Sequence, residues 1–165
     1  MQLNPKVAEA LNRQVNNELQ ASYVYVSMAA YFDANELPGF AAWFRAHSTE
    51  EIGHAMKLYD FLVKRNARVE LTGVAKPDKD YASAEAALQA ALDMECAVSE
   101  QIHSLFETAH ETGEYGTQPL MHWFLEEQVN EEDLFRRLLE QVRAAGDSRW
   151  HLLVLDRDLG RRGGS

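Results

Sequence analysis

Glu51 and His54 stand three residues apart in the stretch HSTEEIGHAMKL, which runs from His47 to Leu58. On a helix that spacing puts a carboxylate and an imidazole on one face. Both are metal-ligand types, and the E-x-x-H pair alone is a weak motif that many helices contain by chance. Its setting gives it force. Phe40, Phe44, His47, Glu51, His54, Leu58 and Phe61 follow alternating steps of four and three, the period of a core-facing seam. Glu51 and His54 therefore lie on the stripe that a helical bundle would bury. An ionised carboxylate there is costly unless something compensates it.

The same spacing recurs in three other segments. One reads Leu11, Val15, Glu18, Ser22, Tyr25, Ala29, Phe32. A second reads Leu88, Leu92, Glu95, Ser99, Ile102, Phe106, Ala109, and a third Met121, Phe124, Gln128, Glu131, Phe135, Leu138, Val142. Each apolar seam is interrupted near its middle by an acid, an amide or an imidazole. Glu18, Glu51, Glu95 and Glu131 all fall at similar depths in their helices. In an up-and-down packing, the middles of four helices share one level. Four carboxylates, His54 and Gln128 thus converge, and no Lys or Arg lies on the seams near them. Carboxylates so close raise one another's pKa unless cations sit between them. A pair of metal ions meets that requirement. Oxygen-rich ligands with one or two imidazoles suit iron or manganese, with zinc as a competitor. His47 lies one heptad before His54 and about two turns away, and it reads as a polar core residue rather than a ligand.

The elements that must position these groups are helices. The pattern predicts an all-α single domain over 1–165, with helices at about 5–33, 37–65, 83–112, 118–145 and 148–159. Pro5 and Pro119 suit first turns, Ser83 an N-cap, and Gly113 and Gly146 helix stops. Asp147 or Ser148 caps the short fifth helix. Short breaks make helices one and two, and three and four, antiparallel hairpins. Between the hairpins lies Asn66–Ala82, NARVELTGVAKPDKDYA, with a locally extended RVEL. It reaches roughly 55 Å fully extended, more than the roughly 45 Å of a 30-residue helix. The prediction is a four-helix bundle with one long crossover, followed by a short C-terminal helix. The closing RRGGS reads as a flexible tail.

Composition bounds the function. Of 165 residues, 46% are hydrophobic and 25% charged, a globular balance. A net charge of -10 argues against nucleic-acid binding. No apolar run approaches the roughly 20 residues that cross a bilayer, so no membrane partner is expected. The N-terminal stretch lacks a secretory pattern, and Cys96 is the sole cysteine. A reducing cytoplasm is the expected setting. Tyr23, Val24, Met28, Tyr31 and Trp150–Leu155 offer apolar surface beyond what one bundle needs, for thickening the core or for subunit contacts.

The segments NNELQASYVYVSMAAYF, EEIGHAMK, DMECAVSEQ and MHWFLEEQVNEED, with the closing LDRDLG, resemble the corresponding segments of bacterial-type non-haem ferritins. The resemblance runs over nearly the whole chain. It implies the ferritin-like bundle, a 24-subunit hollow cage, oxidation of Fe(II) by O2 or H2O2 at an intrasubunit di-iron centre, and storage of ferric mineral. By it, Glu18, Glu51 and His54 match the first iron site. Glu51, Glu95 and Glu131 match the second, with Glu51 bridging, Gln128 close by and Tyr25 the tyrosine near the centre. A third, weaker site of such relatives is matched by Glu50, Glu127 and Glu131, but Asn130 stands where a further glutamate is usual. That position is expected to be partial or empty. Ile52 replaces the methionine that ligates haem in bacterioferritins, and their second E-x-x-H is absent, so no haem is expected. A di-iron or di-manganese oxidase of an organic substrate, and a passive metal-binding bundle, are the alternatives.

Overall fold

A computed structural model describes residues 2–162. Five α-helices follow one another: α1 (Pro5–Ala34), α2 (Pro38–Lys64), α3 (Ala84–Glu111), α4 (Gln118–Ala145) and α5 (Arg149–Arg162). A single 3-10 turn at Tyr115–Thr117, not anticipated from the pattern, leads into α4. There is no strand among the described residues, at RVEL or elsewhere. Arg161 and Arg162, read above as part of a flexible tail, belong to α5. Gly163–Ser165 lie outside the described residues.

Local signals account for the helix ends. The Asn4 side chain accepts from the Lys6 amide at 2.9 Å while Pro5 occupies the first helical position of α1. Ser83 Oγ accepts from the Ala86 amide at 3.0 Å and starts α3. Gly113, at φ +68°, takes the left-handed turn after α3 that a residue with a Cβ resists.

α1 packs on α2 and α3, α3 on α4, and α5 closes one end against α2 and α4. At that end Gly39 is obligatory, since a Cβ there would sit 1.7 Å from the Asp156 carbonyl oxygen. The close approach lets buried Asp156 accept from the Phe40 amide at 2.9 Å, tying α5 to the start of α2.

The crossover lies along α1, held by a ladder of amides. Asn12 Nδ2 donates to the Arg68 carbonyl at 2.9 Å and its Oδ1 accepts from the Glu70 amide at 2.8 Å. Asn16 does the same with Glu70 and Thr72, at 2.9 and 2.8 Å, and Gln20 pairs with Ala75 in both directions. Three amides spaced by four residues thus give an extended chain the partners that a neighbouring strand would give.

The core divides in two. One apolar cluster gathers Met28, Phe32, Phe40, Phe44, Leu88 and Leu139, with Leu159 of α5. The other gathers Val7, Leu11, Leu58, Leu62, Ile102, Met121 and Phe124. Between them runs a buried polar level: Glu18, Ser22, His47, Ser48, Glu51, His54, Glu95, Ser99, Gln128 and Glu131. The seams predicted for α1 and α4 are buried throughout. In α3 the stripe is broader, with Ala91, Val98 and Leu105 buried and Leu92 and Phe106 only half-buried. Met28, offered above as spare surface, is core, whereas Tyr23, Trp150 and Leu153 are exposed.

Candidate metal centre

Four of the five helices, α1 to α4, contribute to the polar level, and each holds its group by core packing on both sides. Glu18, Glu51 and His54 each present a ligand atom, and those atoms lie within 4.8 Å of one another. Glu51 Oε2 is 3.2 Å from His54 Nδ1, one helical turn away on α2. Gln14 Nε2 donates to Glu18 Oε1 at 2.8 Å, while Glu18 Oε2 is buried with no partner. On the α3 side, Tyr25 donates to Glu95 Oε1, and Gln128 Nε2 reaches Glu95 Oε2 at 3.2 Å. The Tyr25 ring stacks on Phe135 and tilts against Phe44, which fixes where its hydroxyl points.

None of Glu18, Glu51, Glu95 and Glu131 has a Lys or Arg ion-pair partner among the described residues; the nearest bases are His47 and His54. Burial pushes the Glu51 carboxyl up to about 8, reinforced by Glu95, Glu131 and Glu50. Burial also pushes Glu131 up to about 8, with Glu95 and Glu50 adding to it. Glu18 rises well above the carboxylate range, from burial first and then from Glu51. Glu95 rises through burial, against the opposing hydrogen bonds from Tyr25 and Gln128. The site favours protons because no other cation is at hand. A multivalent cation would replace them.

A second group was not legible as such in the sequence. His47, Glu50 and Glu131 also bring one ligand atom each within 4.8 Å. His47, set apart above as a polar core residue, has Nε2 at 3.7 Å from Glu131 Oε2 and 3.8 Å from Glu50 Oε2. Glu127, grouped with Glu50 and Glu131 by the sequence reading, has Oε1 3.7 Å from His54 Nε2 and adds to the upward shift of Glu131. Asn130 is exposed and lines a surface cleft with Cys96 and Asp133. A hint was available: His47 lies on the same seam as Glu51 and His54.

A four-helix bundle with carboxylates and a histidine gathered at mid-height is an arrangement in which helical bundles can hold metal ions. Residues 8–145 match the ferritin-like domain of the ferritin family, and the chain belongs to that family. It is 34% identical over 160 residues to the bacterial non-heme ferritin of Staphylococcus aureus strain USA300, covering 97% of this chain and 96% of the relative. The bacterial non-heme ferritin of Staphylococcus saprophyticus is 31% identical over the same share of each. Among solved structures, an open-pore ferritin from the hyperthermophilic archaeon Archaeoglobus fulgidus matches with a TM-score of 0.94 and 39% identity, covering 96% of this chain and 98% of that one. A form of the Archaeoglobus fulgidus ferritin engineered to be closed also matches at a TM-score of 0.94.

Proposed function

We propose that the protein is an iron-storage ferritin subunit that oxidises Fe(II) with O2 at this centre and stores ferric oxyhydroxide in a hollow cage of identical subunits, 24 by its resemblance to ferritins. The observation that carries the reading is the buried set of carboxylates with raised pKa, no Lys or Arg counter-ion and an unpartnered Glu18 oxygen. Fe(II) is the substrate. Glu18, Glu51 and His54 would hold one ion, and Glu51, Glu95 and Glu131 the other, with Glu51 shared. Such hard oxygen donors with one imidazole fit iron, and Mn(II) or Zn(II) would compete.

Two Fe(II) lose one electron each, and O2 takes both with two protons to leave as H2O2. The chain's own residues supply the conditions. Ionised carboxylates favour Fe(III) over Fe(II), so the ligand set drives the electron loss. Gln14 and Gln128 orient Glu18 and Glu95 through their amide hydrogens. Tyr25 holds Glu95 in place from the other side. Binding of the metal releases the protons that Glu51 and Glu131 otherwise keep near neutral pH.

At position 52 stands an exposed isoleucine, which has no donor atom for a haem iron. No helix among the described residues is long and apolar enough to cross a membrane. We place the cage in the cytoplasm, where a lone thiol at Cys96 stays reduced.

Stopped-flow absorbance after mixing Fe(II) with aerated apoprotein tests the activity. A fast oxidation phase, followed by growth of ferric mineral absorbance, supports a ferritin. No rate above buffer would leave a passive metal-binding bundle. Turnover of an organic substrate without mineral would point to an oxidase. Light scattering of the native particle tests the cage, since a monomer or dimer has no cavity in which to store mineral.

A further inference from the structure

We propose that Gln101 of α3 and Asn17 of α1 are positioning residues for the first iron position: they set which way round the Gln14 amide stands against Glu18, and so how tightly Glu18 takes a cation. The inference rests on reading the mid-bundle centre as a metal site. It extends the support of Glu18 beyond Gln14 to two side chains that touch no ligand of the centre.

Gln14 is 2% exposed and stands between Glu18 and Gln101. Its Nε2 donates to Glu18 Oε1 at 2.8 Å and to Gln101 Oε1 at 3.3 Å. Gln101 Oε1 also accepts from Asn17 Nδ2 at 2.9 Å, and the same Asn17 nitrogen lies 3.4 Å from Gln14 Oε1. Each end of the Gln14 amide therefore meets its complement. The hydrogens face two oxygen acceptors, and the carbonyl oxygen faces a donor.

The two ends of a glutamine amide are nearly the same size and shape, so packing alone does not choose between them. The partners choose. Turned end for end, Gln14 would set its carbonyl oxygen against Glu18 Oε1 and Gln101 Oε1, and its NH2 against the NH2 of Asn17. Three contacts would become like against like, in a buried place where an unmatched polar group is costly. Glu18 supplies one of the three preferences; Gln101 and Asn17 supply the other two. Asn17 also holds Gln101, whose own NH2 would meet two donors if it turned.

The consequence falls on the ligand. The Gln14 hydrogen bond fixes the Glu18 carboxylate through Oε1 and leaves buried, unpartnered Oε2 free for an ion shared with Glu51 and His54. Neither outer residue is needed to fill the core. Gln101 and Asn17 are half-buried, and with Gln14 they line a groove of about 370 Å³ between α1 and α3. Two neutral amides there give Gln14 an acceptor and a donor without adding a charge beside the centre.

Zn(II) is the probe, and the two positions of one subunit are read against each other. Crystals of the assembled apoprotein, soaked over a series of Zn(II) concentrations, should fill one anomalous peak at Glu18 and His54 and another at Glu95 and Glu131. In Gln101→Leu and in Asn17→Leu the half-filling concentration at Glu18 should rise by about 2- to 10-fold, the worth of one net hydrogen bond, with that at Glu95 unchanged. A general loosening of the fold would weaken both positions alike. Gln101→Glu keeps an acceptor for both N–H groups and should hold the Glu18 position at least as tightly as the unmodified protein. Because the effect passes through Gln14, Gln101→Leu should add nothing to Gln14→Leu. An unchanged Glu18 position in both leucine variants, equal weakening at both positions, a Gln101→Glu as weak as Gln101→Leu, or an additive double variant would overturn the assignment. Absence of both peaks from the unmodified protein would bring down the metal centre and the assignment with it. Peaks that respond as expected, in a protein with no fast Fe(II) oxidation, would support the assignment and bring down the ferroxidase reading alone.

Discussion

Stripped of metal, this protein should grow more stable as the pH falls from 8 to 6.5, against the usual behaviour of acidic proteins. Glu51 and Glu131 sit near pKa 8 in the folded chain, chiefly through burial. Unfolded, both return to the ordinary carboxylate value of about 4.3. Between those limits the native state binds more protons than the unfolded one. Their stabilising contribution is complete below about pH 4.3 and is lost as the pH rises through 8. Each group that stays fully protonated only when folded adds about 1.4 kcal/mol per pH unit, so Glu51 and Glu131 contribute at most about 2.7 kcal/mol per unit between them, and Glu18 and Glu95, raised in the same direction, add to it. Repulsion between the two spreads their titration and makes the slope shallower. His47 works the other way, because burial lowers its pKa, but its contribution is lost only as the pH falls below about 6.5. The clean window is therefore pH 6.5 to 8. Urea unfolding of chelator-treated protein across that window should give midpoints that rise toward pH 6.5. Glu51→Gln keeps the shape and removes one of these titrations, so its slope should drop by up to about 1.4 kcal/mol per unit. A midpoint that climbs with pH in the unmodified apoprotein would refute the reasoning, because it would mean that these acids are ionised and solvated in the fold.

Saturating Zn(II) should reverse that slope, since metal and protons compete for the same oxygens; at a hundredfold excess over Kd it should add about 2.7 kcal/mol, read as a rise in Tm. A Tm indifferent to Zn(II) would contradict the centre. Tyr25→Phe removes the hydroxyl that donates to Glu95 and leaves a buried carboxylate oxygen short of a donor, so the apoprotein should lose about 1–3 kcal/mol in thermal unfolding, and less when metal-loaded. Glu51→Ala should abolish the fast phase of Fe(II) oxidation in stopped flow, and near-normal initial kinetics would place the centre elsewhere. Gly39→Ala should push α5 off α2 and cost at least about 1–3 kcal/mol, seen as a lower Tm together with protease cleavage near Arg149.

The period of the apolar residues was enough to find the bundle. Once Glu18, Glu51, Glu95 and Glu131 fall on four seams at one depth, helices of similar length can only bring them together. Caps at Asn4 and Ser83 and the turn at Gly113 are local events, governed by residues within a few positions of one another. Periodicity therefore determined the level at which the polar groups meet and which helices supply them. It could not say which way a side chain turns once there. Only the packing of Trp43, Tyr25 and Phe135 around His47 directs Nε2 toward Glu131 on α4, a residue 84 positions away along the chain. Only tertiary contact turns Glu127 to His54 and leaves Asn130 on the surface. The crossover is the same case: Asn12, Asn16 and Gln20 look like a solvated face until the extended chain lies on them. A helical face is set by the rise and turn of its own backbone, whereas an aim is set by whatever packs against it.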